Sequence, residues 1–97
     1  MSAYVLVEMV VNDPDTFEQY KALSTTALAA HGGRYLARGG ATELLEGDVP
    51  PSRVTLLEFP DADAARAWYH SPEYGAARQA RAGAATARFV LVEGATP

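Results

Sequence analysis

The chain has 97 residues, a net charge of −4 and no cysteine. This length allows one domain with a thin core. The lack of thiols excludes disulfides, thiolate metal sites and thiol catalysis, and the acidic balance excludes a nucleic-acid binder, which needs a basic face. No apolar run approaches the roughly 20 residues that span a bilayer, and the N-terminus has neither a basic region nor a small-residue cleavage pattern. The expected location is cytoplasmic, without a membrane partner.

Residues 3–11 (AYVLVEMVV) are β-branched and apolar and read as a first strand. Asp13 is suited to cap a helix, with Pro14 in its first turn and Asp15 at the positive end of its dipole. Phe17, Tyr20, Leu23, Ala27 and Leu28 share one side, and Gly32-Gly33 supply the stop, which predicts a helix over 14–30. Residues 34–38 (RYLAR) form a second strand. Gly39-Gly40 marks a bulge or kink, beyond which 43–46 (ELLE) continues the strand. After a loop at 47–52, residues 53–59 (RVTLLEF) form a third strand.

Asp61 caps a helix over 62–70 with Ala64, Ala65, Trp68 and Tyr69 on its apolar side. Ser71-Pro72 breaks it and opens a second segment over 72–85. Residues 88–93 (RFVLVE) form the fourth strand, and 94–97 a tail. The order βαββαβ is the ferredoxin-like plan: an α+β domain over 1–97, with a four-stranded antiparallel sheet and its helices on one face.

Strands covered on one side alternate apolar with polar residues. The first strand does not: Ala3, Val5, Val7, Met9 and Val11 face one way, Tyr4, Leu6, Glu8 and Val10 the other. Val90 and Val92 repeat this against Phe89 and Leu91. Helices cover only one face, and the other exposes a patch that a second copy can bury. A homodimer through the sheet face is therefore expected, unless the 47–52 loop and the tail cover that face.

Four stretches carry a family likeness: DPDTFEQY at 13–20, GGRYLARGG at 32–40, LLEFPDADAARAWYHSPEY at 56–74 and FVLVEG at 89–94. Together they resemble the domain-of-unknown-function family numbered 1330, along nearly the whole chain. That resemblance implies the dimeric α/β-barrel superfamily, in which two ferredoxin-like sheets pack into one barrel. Small monooxygenases of the antibiotic-biosynthesis type, muconolactone isomerase-like enzymes and haem-using dismutases and peroxidases belong to the same superfamily. The family implies a fold and no single reaction.

Tyr20, Trp68, Tyr69 and Tyr74 are either core or the walls of a pocket for a flat ligand. Arg38, beside two glycines, offers a planar fork to an anion, or is a surface arginine, or pairs with Glu43 or Glu58. Glu8 and Glu58 lie inside apolar strands, where a desolvated carboxylate serves acid–base chemistry and a paired one does not. His31, at a helix C-terminus, caps the helix or adds a polar group to the pocket. Neither histidine has a partner at ligand spacing, so no metal and no cofactor is expected. Arg81 matches a position at which the family tends to carry arginine.

The candidate catalytic residues are His31, Arg38 and Glu58; the candidate ligand-binding residues are Tyr20, Arg38, Trp68, Tyr74 and Arg81. The function expected is binding or transforming a small aromatic or lactone-like molecule, isomerase- or monooxygenase-like by superfamily analogy. The alternative is a non-enzymatic dimeric structural or regulatory module. A cavity of about 300 Å³ or more with convergent polar groups separates the two.

Overall fold

The computed structural model describes residues 1–95; residues 96–97 of the expected tail lie outside them. The elements are β1 (Ala3–Val11), α1 (Pro14–Ala30), β2 (Arg34–Arg38), β3 (Arg53–Phe59), α2 (Ala62–Tyr69), α3 (Pro72–Arg81) and β4 (Ala85–Glu93). The strands form one antiparallel sheet in the order β2-β3-β1-β4. The sequence order βαββαβ is thus realised as a ferredoxin-like fold, with the second helical region in two pieces. No helix among the described residues is long and apolar enough to cross a membrane.

The helices begin where side chains can satisfy their first N–H groups. Thr16 N–H donates to Asp13 Oδ1 at 3.2 Å, and Ala64 N–H to Asp61 Oδ1 at 2.7 Å. Ser71 works in both directions: its hydroxyl donates to the Trp68 carbonyl at 2.7 Å and accepts from Tyr74 N–H at 3.1 Å. It closes α2 and opens α3 at one residue, with Pro72 in the first turn, as the sequence suggested.

Three expected boundaries move. Residues 43–46 are not a strand: Gly39, at φ 61°, turns the chain out of β2, and β3 starts only at Arg53, after Pro50-Pro51, which have no N–H to donate. The bulge is at Leu36, between Tyr35 and Ala37, and not at Gly39-Gly40. Gly83, at φ 78°, follows an α3 that stops at Arg81, and β4 begins at Ala85 rather than 88 because it pairs with β1 as far as Val11.

The Cα atoms fill a slab of 40 × 38 × 16 Å, one sheet and one helical layer thick. Register assigns the faces. Ala3, Val5, Val7 and Met9 of β1, with Leu57 and Phe59 of β3, turn toward the helices and are buried. Tyr4, Leu6 and Glu8, with Val54, Leu56, Glu58, Val90 and Val92, turn to the opposite face, which no helix covers. Val92 on that face is 52% exposed.

Because Ser71 ends one helix and starts the next, Ser71→Ala is expected to destabilise the domain by about 1–2 kcal/mol. For a domain of this size each kcal/mol lowers the thermal midpoint by roughly 4–8 °C. Thermal unfolding followed by circular dichroism checks this; an unchanged midpoint contradicts the double cap.

Candidate functional site

Trp68, 1% exposed, is the hub of the helix-facing side. Its ring centroid lies 4.4 Å from Tyr74, 5.2 Å from Phe59, 6.0 Å from Tyr69 and 6.3 Å from Phe89, the range of favourable aromatic pairs. Its buried Nε1–H finds no acceptor among the described residues, and ring contacts hold it. Tyr74 meets Tyr20 of α1 hydroxyl to hydroxyl at 2.8 Å, tying α3 to α1. Burial, with the Tyr20 hydroxyl beside it, pushes the Tyr74 phenol far above its ordinary value; nearby Arg81 opposes this only in part.

Trp68 and Phe89 line two hollows in the helix–sheet layer. The first is a chamber of about 30 Å³ beneath α1, with Tyr20, Lys21, Ser24, Arg38, Arg53 and Thr55 around it. The Leu36 bulge puts Arg38 there. Arg34 pairs with Glu58 and Tyr35 with Leu57, then one residue is skipped, so that Arg38 falls opposite Thr55 on the helix-facing side. Without the extra residue, Arg38 would share the open face with Arg34. Gly39 places Arg53: a Cβ there would lie 2.6 Å from the guanidinium carbon, and the φ of 61° is itself left-handed.

The second hollow is an open groove of about 370 Å³ between α2 and β4. It is lined by Ala65, Trp68, Tyr69, Phe89 and Leu91, with Arg66, His70 and Arg81 as polar groups. The Arg81 guanidinium lies 5.3 Å from the Phe89 ring centroid and 5.7 Å from that of Tyr20.

The arginines divide by face. On the open face, Arg34 Nε donates to Glu58 Oε1 at 2.6 Å, and Arg88 lies 3.8 Å from Glu8. On α2, Arg66 pairs with Asp63 at 3.0 Å. Arg38, Arg53, Arg78 and Arg81 have no carboxylate within ion-pair distance among the described residues. Each lies over an aromatic ring instead: Tyr35, Phe17, Tyr69, and Tyr20 with Phe89. An acidic protein thus keeps four cations without carboxylate partners, all stacked on rings.

Tyr20, Arg38 and Trp68 meet at the chamber, Tyr74 supports Tyr20, and Arg81 joins Trp68 at the groove. Two candidates fall elsewhere. Glu58 pairs across the sheet with Tyr4, which puts it on the open face, held by Arg34. His31 caps α1, and its Nε2 lies 3.6 Å from Glu73 Oε2; it lines neither hollow. Glu73 is kept below the usual carboxylate range first by its own backbone N–H at the start of α3, against desolvation, and then by His31. Arg53, Ser24, Thr55 and Phe89 were missed as site residues. For Arg53 the signal was present: period-two alternation sets it on the same face as Leu57 and Phe59.

The raised Tyr74 phenol predicts an alkaline limit. The folded state holds this proton more tightly than the unfolded chain, so its contribution is complete below about pH 10 and is lost as pH rises beyond that value. In an ultraviolet titration, Tyr74 is expected to ionise only as the protein unfolds. Tyr74→Phe removes that late component and leaves the buried Tyr20 hydroxyl without its partner, at a cost of about 1–3 kcal/mol.

Comparison with solved structures gives the same fold. A protein of unknown function from Rhodopseudomonas palustris superposes with a TM-score of 0.76 at 19% identity, over 99% of this chain and 84% of that one. SnoaB, a cofactor-independent oxygenase from Streptomyces nogalater, gives 0.68 at 22% identity, over 99% and 95%. A dimeric ferredoxin-like protein of unknown function from Jannaschia sp. CCS1 gives 0.65 at 16%, over 99% and 100%. No curated protein matches. The sequence model of the domain of unknown function DUF1330 matches residues 2–95, nearly all of the chain, and the protein belongs to that family.

Proposed function

We propose that this protein binds, and transforms without a cofactor, a small aromatic or lactone-like anion in the layer between helices and sheet. The site is Tyr20, Arg38, Trp68, Tyr74 and Arg81. The observation that carries this reading is the set of unpaired arginines stacked on rings, in a protein whose net charge is −4. Leaving charges without partners is costly in a partly desolvated site. A flat anion offers both a counter-charge and a face to stack on.

The groove, at about 370 Å³, exceeds the roughly 300 Å³ that a small organic ligand needs, and it receives the ring against Trp68 and Phe89. Arg81 meets the anionic oxygen there. The chamber, at about 30 Å³, is too small for a ring; Arg38 acts at the other edge of the Trp68–Phe89 wall. The likeness to SnoaB is compatible with cofactor-independent chemistry and supplies only the fold. Since Trp68 is the single tryptophan, saturable change of its emission reports binding. Among aromatic acids, lactones and quinones, acids are expected to bind best. Arg81→Ala and Arg38→Ala weaken binding roughly tenfold. Arg78→Ala, outside both hollows, has little effect. A panel that leaves the emission unchanged refutes the site and makes the cluster core.

The protein acts as a homodimer through its open sheet face, in keeping with the dimeric description of the Jannaschia protein. An interface on the order of 1,600 Å² is expected. Light scattering at micromolar concentration should give twice the 10.3 kDa chain mass. Val90→Asp, on that face, should shift the mass toward the monomer before it affects folding. A monomeric wild type contradicts this assembly.

A further inference from the structure

The chamber beneath α1 has features that the ring-binding reading does not require. Arg38 lies opposite Thr55, and Arg53 lies two residues along the same strand on the same face. They are diagonal neighbours on adjacent strands, close enough for their like charges to repel. Neither has a carboxylate partner among the described residues. The nearby Lys21 has Glu18 at 3.1 Å, and that carboxylate is largely exposed. The exposed Arg38 and the half-buried Arg53 therefore bring two guanidinium groups to one chamber, with no carboxylate in ion-pair distance of either among the described residues.

The chain holds this arrangement in place. Arg38 stacks on Tyr35, its guanidinium carbon 4.4 Å from the ring centroid; Arg53 lies 5.7 Å from that of Phe17. The Arg53 guanidinium lies where a Cβ at Gly39 would be, and the Gly39 N–H is fixed to the Val54 carbonyl at 2.9 Å. Ser24, 8% exposed, lines the chamber from α1, and Thr55 lines it from the sheet, so two hydroxyl-bearing residues stand around the two arginines.

We infer that this chamber is a binding site for a small planar monovalent oxyanion, a carboxylate-type group held between the Arg38 and Arg53 forks with Ser24 and Thr55 donating from its sides. Planar forks match two oxygens in one plane. A chamber of about 30 Å³ takes one or two waters or an ion of that size, and excludes a tetrahedral phosphate with its hydration. The anion is either a free ion, such as formate or nitrate, or the carboxylate of a larger molecule that reaches into the chamber. Arg38 is shared with the ring-binding reading, whereas Arg53, Ser24 and Thr55 line the chamber alone.

The test titrates full-length protein with sodium formate and sodium nitrate at constant ionic strength, with sodium sulfate as the balancing salt, and reads thermal midpoint and Trp68 emission. Both anions are expected to stabilise the fold saturably. Arg53→Lys and Arg38→Lys keep the charge and lose the fork, and each raises the dissociation constant roughly tenfold or more. Circular dichroism confirms that both variants fold; Arg38, being exposed, serves if Arg53→Lys does not. Benzoate is then added at saturating formate. Competition identifies a ligand carboxylate as the chamber's occupant, and simultaneous binding identifies the free ion. Absence of a saturable response to both anions, or a response that the two lysine variants leave unchanged, overturns the site. Formate binding without binding of any aromatic acid would refute the ring-binding reading and leave this one standing.

Discussion

The packing of Trp68 against four other rings organises the helix-facing side. Phe59 comes from β3, Phe89 from β4, Tyr69 from α2 itself and Tyr74 from α3, so one side chain joins both layers. Such ring pairs contribute about 0.5–1.5 kcal/mol each beyond the area they bury. A domain of this size has little other core to spare. The same packing creates the two hollows, because the large, flat Trp68 and Phe89 together form a wall that separates chamber from groove. Chamber and groove are spaces that the core leaves around its largest residue, and a ligand in either touches the group that holds the fold together.

The pleat sorts charge as well as hydrophobicity. On the open face the carboxylates of Glu8 and Glu58 stand beside Arg88 and Arg34, so an apolar surface suited to burial carries balanced pairs. Exposed pairs of this kind contribute little to stability, but burial against another surface without them would strand a charge. On the helix-facing side Arg38, Arg53 and Arg81 lie over rings without a carboxylate partner among the described residues, while Arg66 at the groove keeps Asp63 and Lys21 at the chamber keeps Glu18.

Much of this was legible in the sequence. The two-sided apolar pattern of β1 gave the central strand and the uncovered face, and Asp13, Asp61 and Ser71 marked helix starts because capping is a local interaction. The aromatic residues were identifiable as a group, although which hollow each borders depends on packing. The errors arose where the outcome depends on a partner strand. Residues 43–46 have strand composition, but β3 has ended before it could pair with them. Glycines favour bulges and kinks alike: Gly39 turns the chain, and strand pairing puts the bulge at Leu36. For Glu58 the apolar neighbours leave a desolvated and a paired carboxylate both open, and strand parity turns it to the open face beside Arg34.

The Leu36 bulge bears on how a scaffold of this kind diversifies. Substitutions within β2 alter which side chain a surface presents, but the gain or loss of one residue at this point exchanges the end of the strand between two surfaces. A chain lacking that residue would keep its sheet and helices and move Arg38 from the helix-facing side to the open face of the sheet. Variation in length at one position, and not variation in residue type, would then separate relatives with a cationic chamber from relatives without one. An alignment that closes this gap would pair Arg38 with residues on the wrong side of the sheet.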